Sequence, residues 1–516
     1  MGKFFHGWVL ALGLATAVQA QDLSLPIETD LGQVLGTKTG AISVFRGIPY
    51  AAPPVGDLRW RPPQPAAPWE GIRDATAFGP PCAQGKPNPS PYVLQEPFSE
   101  DCLTLNIWSP DVTAKKKLPV MFWIHGGSAR FGSGAEPFYD GTELAKQGVV
   151  VVTINYRLDR LGRFAHPALT KEQPGQALAN YGWMDMVAAL QWVNRNIGNF
   201  GGDANEVTIF GQSAGGIAVT TLMATPSSKG LFKRAIAESG SGTVDRPQYV
   251  SAATPYRLSL EDDGLRMAEK FGINDGDVMK RLRALPWQEI VAYSMRGFQN
   301  SLLPAVDGVF LPAPVGDIFA QGQQHAVPFM TGTNSWEESL ISRGGPPLPL
   351  RAILEGVTEE QARAMYPGRD DAALTKLWFA DATFHAPARF FAGQMEKTKA
   401  PAYTYYFSYM LEVNRGKAPG VPHGEEIMYL FNNLDTFLGP ALTERDKNVA
   451  KQMSAYWVQF AKTGNPNIKG APLWKPYNAK NPATLVIDDE IVMAKDHLNE
   501  RIAPHLQRFN AFVAKK

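Results

Sequence analysis

Nearly unbroken apolar runs alternate with stretches of helical period along the first half of this 516-residue chain. Residues 118–124 (LPVMFWI) and 149–154 (VVVVTI) are runs typical of strands that are buried on both faces. Residues 181–196 repeat their apolar positions every three or four residues, which predicts a helix, and residues 207–210 (VTIF) predict a third strand. This alternation predicts a mostly parallel central sheet flanked by helices on both faces.

The second half continues the alternation but includes long segments that contain proline and glycine. Residues 232–237 and 327–331 are expected to form further parallel strands. Residues 243–304 and 344–399 mix loops with short amphipathic helices, such as one at 265–271. We therefore expect an α/β fold in which these long insertions roof a pocket.

The composition indicates a large globular protein. Hydrophobic residues make up 44% of the chain and charged residues 19%, so the chain can bury a large core. No linker, charge run or repeat divides it, and we predict a single domain over residues 21–516. The net charge of +1 gives no electrostatic reason to expect a nucleic acid partner. The expected ligand is a small molecule, and the expected assembly is a monomer or homodimer.

The first twenty residues have the pattern of a cleaved signal peptide. Lys3 gives a basic start, residues 8–18 form an apolar stretch, and small residues precede Gln21. A membrane anchor or a first strand is the alternative, but the apolar stretch is shorter than the ~20 residues of a spanning helix. We predict export to a periplasm or to the cell exterior, without stable membrane insertion.

The chain contains two cysteines, Cys82 and Cys102. In an exported protein they would lie in an oxidising compartment, where a disulfide closing a loop of this length stabilises the fold by about 3 kcal/mol. Two buried free thiols are the alternative interpretation. A metal site is disfavoured because the neighbouring sequence offers no two further ligands at usable spacing.

One serine has the sequence context of a nucleophile. Ser213 is the centre of the pentapeptide Gly-Gln-Ser-Ala-Gly, which follows the predicted strand at 207–210 and precedes a run of small residues that predicts a helix start. A strand, sharp turn and helix lift such a serine into a strained, exposed position. Glycines at positions 211 and 215 fit this turn, because side chains there would collide with the neighbouring strand and helix.

A serine hydroxyl needs a base, and in this arrangement the acid and then the histidine follow the serine in the chain. The histidines beyond Ser213 are His325, His385, His423, His497 and His505. His423 is preferred because it lies in a turn-forming loop, Pro-Gly-Val-Pro-His-Gly. His497 and His505 fall in a charged C-terminal segment that we expect to be a surface helix.

The acid should follow the end of a strand. The strand predicted at 327–331 leads to Glu337, and Glu338 is an immediate rival. Asp307 is a second rival, but the Asp-Gly pair there is more economically a structural turn.

Catalysis by such a serine also needs hydrogen-bond donors for the oxyanion. The loop His-Gly-Gly-Ser at 125–128 directly follows a predicted strand. We predict that the backbone N–H groups of Gly127, Ser128 and Ala214 form the oxyanion hole. No metal or organic cofactor is required for this chemistry.

These residues give the chain a resemblance to the type B carboxylesterases, the group that includes bacterial para-nitrobenzyl esterases and animal cholinesterases. The resemblance extends over nearly the whole mature chain. The segments that carry it are 45–51 (FRGIPYA), 99–106 (SEDCLTLN), 155–158 (NYRL), 200–203 (FGGD), 210–216 (FGQSAGG) and 460–466 (FAKTGNP). It implies the α/β-hydrolase fold and carboxylic ester hydrolysis through an acyl-enzyme.

The resemblance also implies roles for individual residues. It implies an acid at Glu337, a base at His423, a Cys82–Cys102 disulfide and a helper serine at Ser239. It further implies a structural ion pair between Arg46 and Glu100.

Several positions depart from the usual pattern of these enzymes, and they include Trp336 and Glu338 on either side of the predicted acid. Ser128 replaces a glycine of the oxyanion loop, where only the main-chain N–H is needed. Asp159 and Arg163 stand where small or apolar residues are frequent. The predicted function is serine-dependent ester hydrolysis. The alternatives are the same chemistry on an amide, carbamate or lactone, or a catalytically silent binding protein with this fold.

Overall fold

The computed structural model describes residues 22–85, 96–294, 303–342, 348–354 and 356–515. The predicted signal peptide, residues 1–20, lies outside the described residues. An eleven-stranded sheet forms the centre of the described part of the chain. Its strands, numbered here in chain order, are β1 (Thr37–Thr39), β2 (Ile42–Pro49), β3 (Thr104–Ser109), β4 (Leu118–Ile124), β5 (Val150–Ile154), β6 (Gly202–Gln212), β7 (Arg234–Glu238), β8 (Phe329–Asn334), β9 (Ala402–Phe407), β10 (Ala483–Ile487) and β11 (Ile491–Lys495).

The strands lie in the order β11-β10-β9-β8-β7-β6-β4-β5-β3-β2-β1 across the sheet. The neighbours from β10 to β5 in this order run parallel, and the antiparallel strands lie towards the two edges. Two small sheets lie apart from the main one. They contain Ile27–Thr29, Gly32–Leu35 and Ile72–Asp74 in one, and Gln248–Tyr249 and Ala305–Val306 in the other.

Helices cover both faces of the large sheet. In the described residues the α-helices are α1 (Thr142–Ala145), α2 (Asp159–Gly162), α3 (Pro167–Glu172), α4 (Tyr181–Asn196), α5 (Ala214–Ala224), α6 (Leu260–Lys270), α7 (Val278–Arg283), α8 (Trp287–Ser294), α9 (Val315–Ala320), α10 (Ser339–Ser342), α11 (Glu359–Met365), α12 (Asp371–Ala380), α13 (Ala386–Gln394), α14 (Glu426–Leu430), α15 (Leu434–Leu438), α16 (Glu444–Thr463) and α17 (Asn499–Ala514). Within the same residues, no helix combines the length and apolar character needed to cross a bilayer.

The apolar runs are strands because both of their faces are buried. Successive side chains of a strand point to opposite faces of the sheet. Phe122 of β4 therefore joins the core formed with α4 and α5, and the adjacent Trp123 joins the core formed with α16. Both side chains are fully buried. This arrangement confirms the predicted sheet with helices on its two faces.

Most of the predicted elements are confirmed, with shifts at their ends. The strand at 118–124 and the helix at 181–196 have the predicted bounds. The strand predicted at 207–210 is the middle of β6, which continues to Gln212. The strand predicted at 327–331 begins at Phe329 and extends to Asn334, which brings its end closer to the proposed acid.

Two expectations for the second half are wrong. Residues 344–399 do not only roof a pocket, because α13 in this segment packs into the main core through Phe390 and Phe391. His505 does not lie on a surface helix. It is fully buried in α17, where its Nε2 lies 2.8 Å from the hydroxyl of Tyr366. The charges of this helix concealed an amphipathic pattern that buries one face.

The two cysteines are joined, whereas the ion pair implied by the resemblance is not formed. Cys82 and Cys102 form a disulfide. Glu100 pairs with Arg59 instead of Arg46, through two hydrogen bonds of 2.8 and 2.5 Å. Arg46 on β2 donates instead to the Thr37 hydroxyl on the neighbouring β1 and to the Thr76 carbonyl oxygen.

A buried ion pair joins the segment after β5 to α4. The guanidinium of Arg157 donates to both carboxylate oxygens of Asp185, at 2.8 and 2.7 Å, and the Arg157 N–H also donates to Asp185 at 3.0 Å. Asp185 is fully buried and the Arg157 side chain is 4% exposed. A buried charge is tolerated only when it is paired in this way.

We predict that Asp185→Asn lowers the free energy of unfolding by about 3 to 5 kcal/mol, because it leaves the Arg157 charge buried without its counterion. Urea denaturation followed by tryptophan fluorescence measures the change. The matched control is Asp275→Asn, which removes an exposed ion pair with Arg281 and should cost less than about 1 kcal/mol. Equal losses in the two variants would contradict the prediction.

Candidate active site

Ser213 occupies the sharp turn between β6 and α5. Its φ of 58° and ψ of −120° form a strained backbone conformation for a residue other than glycine. The turn is possible because β4 passes very close to it. A Cβ on Gly215 would lie 2.0 Å from the carbonyl oxygen of Ile124, and a Cβ on Gly211 would lie 2.6 Å from the same atom. The two glycines are therefore required by close packing, as the sequence predicts.

Glu337 and His423 are brought together from two loops. His423 Nδ1 lies 2.6 Å from Glu337 Oε2, and the second oxygen of Glu337 accepts the backbone N–H of Asn334 at 2.7 Å. Glu337 is fully buried, and the His423 side chain is 7% exposed. The carboxylate is therefore held at both oxygens and can hold the imidazole in one orientation.

Further contacts fix these two loops to each other. Trp336 donates its backbone N–H to the Val421 carbonyl oxygen at 2.9 Å. The His423 backbone N–H donates to the Ser339 hydroxyl, also at 2.9 Å, and the Ser335 hydroxyl accepts the N–H of Val421 at 2.8 Å. The loop that carries the carboxylate thus holds the backbone of the loop that carries the histidine.

The rival acids have other surroundings. Asp307 accepts hydrogen bonds from the backbone N–H groups of Leu178, Val309 and Leu311, so its carboxylate stabilises a turn. Glu338 is half-buried, and this burial together with the neighbouring Glu337 raises its pKa. Glu337 is the residue whose carboxylate contacts His423.

The other histidines downstream of Ser213 are engaged elsewhere. His325 Nε2 lies 3.0 Å from the carbonyl oxygen of Thr225, and His385 Nδ1 lies 2.7 Å from the Thr333 hydroxyl. The ring of His497 packs against that of Tyr406 with 4.4 Å between centroids.

The predicted oxyanion loop follows β4 and has positive φ angles. These angles are 94° at Gly127, 59° at Ser128 and 55° at Ala129. Ser128 therefore adopts a left-handed conformation that usually favours glycine. Among the described residues, the N–H groups of Gly127 and Ser128 have no hydrogen-bond acceptor. Ala214, the third predicted donor, is the first residue of α5, where N–H groups are also without a partner inside the helix.

The structure places Ser239 next to the elbow but gives its hydroxyl no partner. Its N–H donates to the Gly332 carbonyl oxygen at 2.9 Å, between β7 and β8. The side chain is fully buried, and its oxygen makes no hydrogen bond within the described residues. The helper role of Ser239 remains a prediction.

Gln212 is a site residue that the sequence reasoning missed. Its Nε2 lies 3.2 Å from Nε2 of His423. In the described part of the chain, the hydrogen bonds do not include one between the hydroxyl of Ser213 and His423. The one sequence signal for Gln212 was its position next to Ser213. The alternation of side chains along a strand would direct the Gln212 side chain away from that of Ser213.

Two buried carboxyl groups behind the acid were also missed. Glu426 accepts a hydrogen bond from the side-chain amide of Asn334, and Trp457 Nε1 donates to Glu238 at 2.8 Å. Burial and the nearby Glu426 hold the pKa of Glu238 well above its usual range. Burial and the charge of Glu337 raise the pKa of Glu426 to about 7. Nothing in the local sequence around these two glutamates indicates that they are buried.

No group of three His, Cys, Asp or Glu side chains in the described residues is placed to hold a metal ion. The groups that the site does offer are a strained serine, a buried carboxylate paired with an imidazole, and unpaired backbone N–H groups.

Several known proteins are similar to this chain over most of its length. The carboxylesterase family model matches residues 23–349 and 360–503. The fumonisin B1 esterase of Sphingopyxis macrogoltabida is 37% identical over 490 residues, which cover 89% of this chain and 86% of that protein. The para-nitrobenzyl esterase of Bacillus subtilis (strain 168) is 35% identical over 492 residues, covering 92% and 97%. A solved structure of a PNB esterase superposes with a TM-score of 0.81 at 33% identity, covering 92% of this chain and 98% of that one.

We predict that the stability of the Glu238→Gln variant increases relative to that of wild type as the pH rises. The raised pKa means that the folded protein keeps a proton on Glu238 that the unfolded chain releases above about pH 4.3. Wild-type stability therefore falls with rising pH by up to about 1.4 kcal/mol per pH unit from this group, until its folded pKa is reached. Glutamine has no such proton to lose.

The measurement is urea denaturation of both proteins at pH 5 and pH 8. Glu143→Gln, at a half-exposed glutamate of α1, is the control and should show no such pH-dependent gain. A constant difference between wild type and Glu238→Gln at the two pH values would show that Glu238 ionises normally.

Proposed function

Because this chain belongs to the carboxylesterase family and is a carboxylic ester hydrolase, we propose that it acts through an acyl-enzyme on Ser213, with His423 as base and Glu337 as acid. The observation that carries this proposal is the 2.6 Å contact between His423 Nδ1 and Glu337, beside the strained turn of Ser213. A base oriented by a buried carboxylate next to such a serine is the arrangement that nucleophilic catalysis needs.

The reaction proceeds in two steps. In the first, Nε2 of His423 takes the proton of the Ser213 hydroxyl while Oγ attacks the ester carbonyl carbon. The alcohol then leaves with the proton from His423, and the acyl group stays on Oγ. In the second step, water loses a proton to His423 and attacks the acyl carbon. The bond between this carbon and Ser213 Oγ then breaks, Oγ takes the proton back from His423, and the carboxylic acid is released. Glu337 stabilises the imidazolium formed in each step.

The negative charge on the carbonyl oxygen is held by the backbone N–H groups of Gly127, Ser128 and Ala214. Two observations support this role. The N–H groups of Gly127 and Ser128 have no acceptor among the described residues, and Ala214 is the first residue of α5. Fixed donors of this kind stabilise charge that develops only in the transition state. A serine at position 128 serves as well as a glycine, because the donor is the main chain.

Export is part of the proposal. The pattern of residues 1–20 and the disulfide between Cys82 and Cys102 both favour it, since disulfides persist in oxidising compartments.

We predict that Ser213→Ala lowers kcat for a neutral nitrophenyl ester by more than about 10³-fold, because the acyl-enzyme can no longer form. Steady-state hydrolysis and mass spectrometry after treatment with an alkyl fluorophosphonate test this, and only wild type should gain the adduct at residue 213. Ser109→Ala is the control. Ser109 lies on β3, outside the site, and its buried hydroxyl donates to the Phe200 carbonyl oxygen. Ester hydrolysis that survives in Ser213→Ala would overturn the nucleophile assignment.

We predict that Glu337→Gln lowers kcat by about 10³- to 10⁴-fold, because an amide can stabilise neither the required tautomer nor the imidazolium of His423. Glu338→Gln is the matched control from the adjacent position, and it should change kcat little because its carboxylate is not the one that contacts His423. Circular dichroism checks that both variants are folded. The reverse ranking would move the acid by one residue.

A further inference from the structure

Gln212 occupies the space between the three segments of the proposed catalytic site. Its side chain is buried, with 4% exposed. A Cβ on Gly126 of the oxyanion loop would lie 3.1 Å from Gln212 Oε1, and a Cβ on Gly424, next to the base, would lie 3.6 Å from Gln212 Nε2. The amide is thus oriented with its oxygen towards the oxyanion loop and its nitrogen towards His423.

The atom of His423 that Gln212 contacts is the one that must accept the serine proton. Nδ1 of His423 faces Glu337 at 2.6 Å, so the proton of a neutral imidazole lies on Nδ1 and its lone pair lies on Nε2. Gln212 Nε2 lies 3.2 Å from His423 Nε2 and carries the donor hydrogens of the amide.

We propose that Gln212 is a positioning residue, which donates its amide N–H to Nε2 of His423 in the resting enzyme and keeps this imidazole neutral until substrate binds. The proposal rests on His423 acting as the base. A hydrogen bond that is accepted by the neutral form of a base favours that form over the protonated one. Gln212 therefore opposes premature protonation of His423, and Ser213 replaces it as the partner of Nε2 when the reaction begins.

The electrostatic surroundings of His423 make such a device useful. Among the described residues, the carboxylate of Glu337 contacts it at 2.6 Å, and the buried Glu426 is near enough for the charge of His423 to lower its pKa. Glu338 adds a third negative group next to Glu337. The Phe384 ring packs on the imidazole with 5.0 Å between centroids and contributes no charge. Negative neighbours favour the imidazolium, which cannot accept the serine proton, and the Gln212 amide acts against them.

The test is the pH dependence of kcat/KM for a neutral nitrophenyl ester between pH 5 and pH 9, in wild type, Gln212→Met and Gln212→Glu. Methionine has a similar length but no donor, so the acidic limb of the profile should move up by about 0.5 to 1 pH unit. Glutamate has nearly the same shape and adds an anion, so the limb should move up by about 1 to 2 pH units. Loss of packing alone would lower the whole profile without moving its limb.

Gln173→Met is the matched control. Gln173 is equally buried and donates to the Trp60 carbonyl oxygen away from the site, so its variant should keep the wild-type limb. Superposable limbs in all four proteins, or a downward shift in Gln212→Met, would overturn the proposal. Either result would leave the proposed function intact, whereas ester hydrolysis that survives in Ser213→Ala would remove the function itself.

Discussion

The site depends on how closely the backbone of β4 approaches the turn after β6. The carbonyl oxygen of Ile124 lies where the side chains of residues 211 and 215 would otherwise be, so both positions must be glycine. This approach fixes Ser213 at a positive φ and places the oxyanion loop, which continues directly from β4, beside it. One packing contact between parallel strands therefore sets the position of the proposed nucleophile and of its proposed N–H donors together. Strain at Ser213 persists because the surrounding strands leave the turn no other conformation.

The proposed acid and base depend on a second constraint, which is the burial of ionisable carboxyl groups away from water. Glu337, Glu238 and Glu426 are all fully buried, and three ionised carboxyl groups in one region would repel one another. Burial and the nearby Glu426 raise the pKa of Glu238 well above its usual range, which favours the protonated form of that group. Glu337 is the one whose two oxygens receive a backbone N–H and the imidazole. Hydrogen bonds thus distinguish Glu337, the proposed acid, from the two other buried carboxyl groups.

The sequence was sufficient for the parts of the structure that follow from a local pattern. Apolar runs predicted β4 and β5, helical period predicted α4, and a serine between two glycines predicted the elbow. The parts that it missed depend on contacts between distant segments. Arg59 rather than Arg46 pairs with Glu100. His505 is buried although it lies in a helix whose charged residues suggested an exposed position. Gln212 stood inside the motif itself, but its contact with residue 423 exists only in the folded chain. Neither period nor composition encodes such pairings.

The hydrogen bonds that fix the loop of His423 explain why the proposed exchange of partners involves the Gln212 side chain. Hydrogen bonds from the Trp336 N–H and to the Ser339 hydroxyl hold the loop at Val421 and at His423, and Glu337 contacts the imidazole at Nδ1. His423 has therefore little freedom to change its own position between the resting and reacting states. In the proposed exchange the partner of Nε2 changes, and in the described part of the chain no hydrogen bond joins the Gln212 side chain to a backbone group. With the loops held in this way, the proposal assigns the change between resting and reacting states to the side chain between them.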